Sequence, residues 1–400
     1  MNRSMGGAGT AAPLDAVGAI HWNPASISGL DGRRVDLSVD LVANQNKVTS
    51  TLFEGTPMEI SGTTHSHAGV APLPAIGLVH REECSPWTYG LGLLGIGGFA
   101  VNYPSSVSNP VFTPPPPVGI GTGGGYSRLS VLQIAPTVAH DLGNGLSIGF
   151  APTINVADAQ LDPFPFVAPN DANGDGLPSY PGGIQSRPRW GLGLQAGLYY
   201  QSEFGIDFGL AVKSPQWFEE FEFQATDELG LPMNVATEIE YPLIITAGAA
   251  SWITEDILLA MDVRYVDYEN TPRFGDEARL APDGSLMGLD WRSVIVVAGG
   301  VNWEMNDRLT VRTGYSYNPS PITESNVFLS IQAPAVYEHI YNLGMSFAVT
   351  SAIEFSATWV HAFENSVAGP IASPLGTVPL SRVTVSQAVD TAVLGVSVLY

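Results

Sequence analysis

The dominant pattern of the chain is a two-residue alternation of apolar with small or polar side chains. In the segment 190–200, Trp, Leu, Ala and Tyr occupy the even positions, while Gly and Gln occupy most of the odd ones. Similar alternation runs through 257–265, 309–317 and 353–359. Residues two apart share one face of a strand, so each segment predicts a strand with one apolar face. We identify about fourteen such segments, at 35–52, 69–82, 86–101, 126–141, 145–161, 190–203, 205–219, 235–252, 256–270, 289–304, 308–318, 335–349, 352–365 and 386–400.

The connections between these segments alternate in length. Tight turns such as LGNG (142–145) and MND (305–307) follow the even-numbered segments, and longer polar or Pro/Gly-rich stretches such as 102–125 follow the odd-numbered ones. Short periplasmic turns and long extracellular loops are typical of outer-membrane barrels. An even strand number also lets the sheet close without an edge exposed to lipid. The predicted fold is therefore all-β, a transmembrane antiparallel up-and-down β-barrel of about fourteen strands.

Composition narrows the function classes. Charged residues make up 14% of the chain and hydrophobic residues 45%, but no run of eighteen apolar residues occurs, which excludes a helical membrane span. The formal net charge is −22 with only 16 Lys and Arg, and these do not cluster, which argues against nucleic-acid binding. The H-E-x-x-H and P-loop signatures are absent from the sequence, and no G-x-S-x-G elbow between a strand and a helix is predicted. We therefore expect a protein that is not an enzyme.

Residues 1–34 depart from the strand pattern. They are rich in Gly, Ala and Ser and contain no sustained alternation, so we expect a compact plug inside the lumen, with the barrel spanning 35–400. The opening residues themselves contain no contiguous apolar core of the kind found in a signal peptide. Because the remaining pattern is that of an outer-membrane barrel, we expect either a mature chain or a true start upstream, and a location in the bacterial outer membrane.

The opening segment SMGGAGTAAPLDAVGAIHWNPASISGL (4–30) leads into the tripeptide Asn23, Pro24 and Ala25. It resembles the N-terminal hatch of the FadL/TodX family of outer-membrane transporters of long-chain fatty acids and hydrocarbons. Further similar segments are 209–221, 253–270, 291–322 and 338–363. The resemblance implies a fourteen-stranded barrel, a hatch carrying the Asn-Pro-Ala motif, and a kinked third strand with a lateral opening.

The third predicted strand offers a candidate for such a kink. It contains Gly95, Gly97 and Gly98 within LGLLGIGGFAV. Glycine inside a strand weakens pairing and often marks a bulge or a close approach. The alternative is that barrel walls facing a plug are glycine-rich for packing reasons alone.

Strand parity predicts that a few charged side chains face the lumen, including Arg264, Arg312 and Lys213. An Arg fork can hold a ligand carboxylate. Alternatively, these cations pair with lumen acids such as Asp262 or Glu240 and support the barrel. In the predicted extracellular loops, Phe112, Phe164 and Phe166 are candidates for capturing a hydrophobic ligand from water.

The loop sequence DANGDG (171–176) matches the first half of a calcium-binding loop. Asp171, Asn173 and Asp175 would supply oxygen ligands at alternate positions, but the twelfth position is Gly182 instead of Glu. The alternative is a polar loop of Asx-turns. We expect no other cofactor.

These features favour passive uptake of hydrophobic small molecules, gated by the hatch, with lateral exit near the kinked third strand. The alternative is a general diffusion porin or a structural outer-membrane barrel. The expected partners are a hydrophobic ligand and the surrounding outer-membrane lipid and lipopolysaccharide, and we expect the protein to act as a monomer.

Overall fold

A computed structural model describes residues 1–30, 32–98 and 100–400 of the chain. Asp31, within the predicted plug, and Phe99, within the predicted third strand, lie outside the described residues. The described chain contains these strands: β1 (Arg33–Leu52), β2 (Ile60–His65), β3 (Val70–Arg81), β4 (Trp87–Gly97), β5 (Ala100–Tyr103), β6 (Gly125–Asp141), β7 (Leu146–Asp162), β8 (Gly182–Ser186), β9 (Arg189–Gln201), β10 (Ile206–Lys213), β11 (Trp217–Phe218), β12 (Phe221–Thr226), β13 (Pro232–Thr237), β14 (Leu243–Trp252), β15 (Ile257–Asp267), β16 (Val294–Asn306), β17 (Leu309–Tyr317), β18 (His339–Ala348), β19 (Ile353–Gly369), β20 (Ala372–Ser373), β21 (Gly376–Thr377) and β22 (Ser381–Leu399).

Fourteen of these strands form a closed antiparallel barrel, which confirms the predicted fold. Each pairs with its neighbour along the chain, in the order β1, β3, β4, β6, β7, β9, β10, β14, β15, β16, β17, β18, β19 and β22. The strand pairing that closes the barrel is long: β1 pairs with β22 from Arg34–Leu399 to Leu52–Ser381. The short strands β2, β5 and β11 extend this sheet at its upper rim, where the long loops begin.

The alternation along the strands separates an outer face from an inner one. In β9, Trp190, Leu192 and Leu194 are exposed, whereas Gln195 and Tyr199 are buried. In β18, Tyr341 and Phe347 mark two outer aromatic rows, because Tyr341 pairs with Tyr315 and Phe347 with Phe355. Six residues of strand separate these rows, roughly 20 Å at about 3.3 Å per residue, which suits the apolar band of an outer-membrane barrel.

The helical part of the chain is small. Among the described residues it consists of α1 (Ala16–Trp22) and three 3-10 helices at Asn2–Met5, Pro24–Gly29 and Pro110–Phe112. Among the described residues, no helix has the length and apolarity needed to cross a bilayer.

The upper loops build structure of their own. Strands β8, β12 and β13 form a separate three-stranded sheet, so residues 235–237, which we had assigned to a barrel strand, pair with β12 instead. Apolar residues of several loops, among them Trp291, Ile322 and Val336, join the top of the wall in one buried cluster. The mouth of the barrel is therefore covered by packed loops.

Candidate functional site: the lumen and the interrupted third strand

The first thirty residues are largely buried and contact strands from all round the barrel. The helix Asn2–Met5 contacts β16 to β19, α1 contacts β1, β3 and β4, and the helix Pro24–Gly29 contacts β4, β6, β7 and β9. The segment therefore contacts strands in several separate parts of the barrel. We call residues 1–30 the N-terminal segment.

Barrel glycines make room for this segment. A Cβ on Gly197 of β9 would lie 1.9 Å from Oδ1 of Asn23, and one on Gly209 of β10 would lie 2.1 Å from the carbonyl oxygen of Thr10. A Cβ on Gly314 of β17 would lie 2.1 Å from the backbone nitrogen of Gly6. The segment is therefore packed against backbone, which any larger side chain at these wall positions would prevent.

A buried acid on β15 holds the segment to the wall. Oδ2 of Asp262 accepts hydrogen bonds from the backbone N–H of Gly9 (2.9 Å) and of Thr10 (3.1 Å), and from the Thr10 hydroxyl (2.7 Å). Arg264 donates to the same carboxylate at 3.3 Å and also to the carbonyl oxygen of Gly7. Its guanidinium carbon lies 3.8 Å from the centroid of the Trp22 ring. Buried charges need partners of this kind, so the pair and the segment stabilise each other.

Asn23 fixes the segment to β9, which is separated from β15 by β10 and β14. Its side-chain amide donates to the carbonyl oxygens of Thr10 (2.8 Å) and of Leu198 on β9 (2.9 Å). Its Oδ1 accepts from the backbone N–H of Ala25 at 3.0 Å, which caps the helix that Pro24 begins. Asn23 is fully buried, and all of these bonds satisfy groups that would otherwise be unpaired.

A cavity of about 420 Å³ lies beside this segment. Its lining includes His21, Trp22 and Arg264. It also includes residues 94–96 of the third barrel strand and Leu73 of the second. The cavity therefore extends from the N-terminal segment to the barrel wall.

The wall is interrupted where the cavity meets it. Between β4 and β6 the register shifts between Gly95 and Gly97, β4 ends at Gly97, and β5 begins at Ala100. Gly97 has a φ of 104°, and a Cβ on Gly98 would lie 1.7 Å from the carbonyl oxygen of Leu129. Both positions therefore suit glycine alone.

The neighbouring strand does not close this interruption. The β3–β4 ladder ends at the pair Ala75–Leu94. Beyond it, Pro72 and Pro74 of β3 lack an N–H to donate. The two segments meet again nearer the extracellular loops, where the carbonyl oxygen of Asn102 in β5 accepts a hydrogen bond from the backbone N–H of His67, just before β3, at 2.7 Å. The wall between Leu73 and Gly95 thus lacks a ladder.

The family of this protein is decided by its sequence profile. The profile of the family described as "Outer membrane protein transport protein (OMPP1/FadL/TodX)" matches residues 1–400. The chain belongs to this family. It is accordingly an outer-membrane transport protein. No curated protein matches the sequence.

Solved structures show the same fold at low sequence identity. The toluene transporter TbuX of Ralstonia pickettii has a TM-score of 0.75 at 18% identity, covering 100% of this chain and 97% of that one. The toluene transporter TodX of P. putida has a TM-score of 0.73 at 18% identity, covering 100% and 98%. A FadL homologue of Pseudomonas aeruginosa has a TM-score of 0.72 at 14% identity, covering 98% and 95%.

The three cations that strand parity assigned to the lumen have different surroundings. Arg264 is engaged by Asp262, Gly7 and Trp22, as the structural alternative anticipated. Arg312 is buried and donates to Oδ1 of Asn302 (2.6 Å) and to Oγ of Ser346 (2.5 Å). Lys213 ends β10 on the inner face and is half-buried. The sequence could identify these side chains as inward-facing but could not tell which of them have hydrogen-bond or ion-pair partners within the protein.

The loop phenylalanines require a correction. We expected Phe112, Phe164 and Phe166 to be accessible for capture, but Phe112 is 2% and Phe164 0% exposed. Phe164 packs in the loops against Phe223, and Phe166 lies partly buried under Arg273, whose guanidinium carbon is 5.3 Å from its ring centroid. The expectation of exposure was wrong for the first two because the loops bury apolar residues against one another.

The half-motif at 171–176 forms backbone turns. Oδ2 of Asp171 accepts from the N–H of Gly176 (3.0 Å), Oδ1 of Asn173 from Asp175 (2.9 Å), and Oδ1 of Asp175 from Leu177 (2.8 Å). Each proposed ligand thus accepts a hydrogen bond from a nearby backbone amide. Among the described residues, no group of three or more His, Cys, Asp or Glu side chains is placed to hold a metal ion.

Sequence reasoning missed two features of the site. It did not identify the wall glycines that contact the N-terminal segment, although the alternation along each strand predicts that they face the lumen. It also passed over Pro72 and Pro74. These two prolines are two positions apart in a strand, so the same edge of that strand lacks two backbone N–H donors.

Proposed function

We propose that this protein is a passive channel for hydrophobic small molecules, with the N-terminal segment as its hatch and the interrupted third strand as a lateral exit. One observation carries the proposal: a single cavity touches both Trp22 of the N-terminal segment and Gly95 at the interruption. A ligand in this cavity would have a short path to the lipid between Leu73 and Gly95. An apolar ligand gains free energy on this path because it moves from water to hydrocarbon without crossing a polar pore.

The hydrophobic nature of the cargo is supported in two ways. Two of the similar solved structures are those of toluene transporters. In this chain, Leu94, Ile96 and Leu73 form the cavity wall beside the interruption. Aliphatic side chains at this point would favour an apolar ligand over water or an ion.

Capture at the cell surface would use exposed apolar residues of the long loop after the third strand. Val107, Val118 and Ile120 are 96%, 82% and 64% exposed. Exposed apolar side chains that lie close together often mark binding surfaces. They take over the role that we had assigned to Phe112 and Phe164. We also propose that the outer apolar band contacts membrane lipid and lipopolysaccharide, and that one chain suffices for transport.

A general diffusion porin would need an open lumen, whereas the N-terminal segment here contacts strands from all sides. Single-channel recording in a planar bilayer tests this point. We expect no large steady ion current from the purified protein, because the segment obstructs the lumen. A large ohmic current would contradict the proposal and favour the porin.

The transport itself is tested by uptake into cells that express the protein. We expect faster entry of radiolabelled toluene or of a long-chain fatty acid than in cells carrying the empty vector. Equal entry of both ligands in the two strains, with folded protein in the membrane, would overturn the proposed function.

A further inference from the structure

The lipid-facing side of the barrel carries a groove that the proposed transport does not use. It has a volume of about 710 Å³ and crosses the outer face of β14 to β17. One end lies at Ile206, which begins β10 just after a short turn, and the other lies at Tyr317, which ends β17 just before a long loop. The lining is almost entirely apolar. The groove therefore crosses the apolar band of the barrel from its periplasmic to its extracellular part.

Small residues form the floor of the groove and larger ones its walls. Ala249 of β14 and Gly299 of β16 lie on either side of Met261 of β15 in one row of the strand pairing. Ala298 and Gly300, which face the lumen, line the groove as well. The larger outward side chains that border the floor are Leu259, Val297, Val301 and Tyr315. The groove is thus a depression that reaches the backbone of the sheet.

Gly299 differs from the wall glycines that make room for the N-terminal segment. A Cβ on Gly300, the next residue, would lie 2.6 Å from Cα of Met5. A Cβ on Gly299 would point outward, and its nearest neighbour would be the carbonyl oxygen of Ala260 at 3.6 Å, an ordinary contact distance. Packing within the described part of the chain therefore does not explain the open space at Gly299.

This space is costly to leave empty in a bilayer, because atoms that line a void lose their dispersion contacts. Water is a poor filling, since a buried water needs about two to four polar partners and the lining is apolar. A second copy that met this face around a two-fold axis would place groove against groove and leave the void unfilled. A hydrocarbon chain of the surrounding lipid fills the groove without desolvating a polar group.

The extracellular end of the groove carries tyrosine hydroxyls. The hydroxyl of Tyr315 lies 2.5 Å from Nδ1 of His339, and the hydroxyl of Thr313 donates to that of Tyr341 at 3.1 Å. The ring of Tyr317 lies beside His339, with the ring centroids 5.1 Å apart. Tyrosines at a membrane interface keep the ring in hydrocarbon and the hydroxyl at the level of the head groups. A lipid whose chain enters the groove from this end belongs to the outer leaflet.

We infer that the groove holds one acyl chain of an individual lipid A molecule, whose sugar head group lies at Tyr315, Tyr317 and Tyr341. This inference rests on the membrane contact proposed above and is independent of the proposed transport, because the groove lies on the outer face of β14 to β17 and the interruption lies at the end of β4. Lipid chains and groove are both apolar, so the affinity comes from packing and from the head group.

Native mass spectrometry of the full protein, titrated with lipid A in detergent, measures the dissociation constant of the first bound lipid. Phosphatidylethanolamine, a lipid of the inner leaflet, is the comparison. Gly299→Leu fills the floor of the groove from β16, and Ala249→Leu fills it from β14. Ala357→Leu is the matched control, since Ala357 is an exposed outer-face residue of β19 outside the groove. Heat-modifiable gel migration checks that each barrel is folded.

We expect Gly299→Leu to weaken lipid A binding on the order of tenfold, because the new side chain takes the place of the acyl chain, and Ala357→Leu to stay within about twofold of wild type. Ala249→Leu should weaken binding in the same direction as Gly299→Leu. Wild type should bind lipid A more tightly than phosphatidylethanolamine.

Unchanged lipid A binding in both Gly299→Leu and Ala249→Leu, or equal binding of the two lipids by wild type, would overturn the inference. So would a wild-type dimer that Gly299→Leu dissociates, because a second copy would then occupy the groove. If Gly299→Leu does not fold, Ala249→Leu decides alone. Toluene uptake by the groove variants should equal that of wild type. Lipid A binding by a wild-type protein that gives no uptake would sink the proposed transport and leave the groove site intact.

Discussion

Asn23 and Leu198 join the N-terminal segment to the barrel: the side-chain amide of Asn23 donates to the carbonyl oxygen of Leu198 at 2.9 Å. The two residues are 175 positions apart, and the bond is possible because Gly197 leaves space for the Asn23 side chain. The same amide donates to Thr10, and its oxygen caps the following 3-10 helix. One buried side chain thus ties together two parts of the segment and one barrel strand.

The first prediction concerns this residue. Asn23→Ala removes three hydrogen bonds and leaves the Leu198 carbonyl without this donor, at roughly 1–3 kcal/mol for each buried group left unsatisfied. The barrel should still fold because its strand ladder is independent of the segment. We expect the lumen to open intermittently, seen as new brief conductance events in single-channel records.

Asn342→Ala is the matched control, since Asn342 is a buried inner-face asparagine on β18 with an unpaired side-chain oxygen. It should leave the closed state unchanged. Single-channel records of a folded Asn23→Ala protein that lack these conductance events would show that the residue does not hold the N-terminal segment in place.

The second prediction concerns Asp262. Asp262→Ala removes the acceptor for Gly9 and Thr10 and leaves the Arg264 guanidinium without its carboxylate, which for a buried pair costs about 3–5 kcal/mol. We expect the N-terminal segment to loosen, measured as faster hydrogen exchange in residues 5–12. The double variant Asp262→Ala, Arg264→Met should recover part of the protection, because it removes the unpaired charge. Unchanged exchange in the single variant would contradict the anchoring role.

The third prediction tests the interrupted strand. Gly97→Ala places a side chain at a φ of 104°, with no atom within 4 Å of the new Cβ, so its effect is backbone strain of about 1–3 kcal/mol. We expect the strand to shift towards regular pairing and uptake to fall. Gly174→Ala is the matched control. Gly174 has a φ of 73°, no atom lies within 4 Å of a Cβ added there, and the residue lies in an outer loop.

Toluene or fatty acid entry into expressing cells is the measurement for both glycine variants. A drop for Gly97→Ala but not for Gly174→Ala is the expected result. Equal uptake by both, at equal amounts of folded protein, would argue that ligands leave by another route.

The fourth prediction concerns the loop 171–176. Because Asp171, Asn173 and Asp175 already accept backbone hydrogen bonds, we expect limited proteolysis of this loop to be the same with a chelator as with added calcium. Asp171→Ala should speed cleavage in both conditions by releasing the N–H of Gly176. Protection that depends on calcium would instead support an ion bound by these oxygens.

The sequence by itself determined the barrel. Two-residue alternation and the short–long pattern of connections were sufficient for fourteen strands and for the outer and inner faces, since both are local properties of the chain. Strand bounds agreed to within a few residues in most cases, as for β7, predicted at 145–161 and found at Leu146–Asp162. The sequence also identified the inward side chains Asp262, Arg264, Arg312 and Lys213, because parity fixes which face a side chain occupies.

Only the tertiary structure decided what each inward group touches. Asp262 meets Thr10 and Asn23 meets Leu198 across more than 170 residues, and no local pattern encodes such a contact. The same holds for the loop phenylalanines, which are buried because distant loops fold over them. For the same reason, only the folded chain shows that Arg3 and Arg264, which line the cavity, take partners from other parts of the chain, namely Asp40 and the carbonyl oxygen of Gly7.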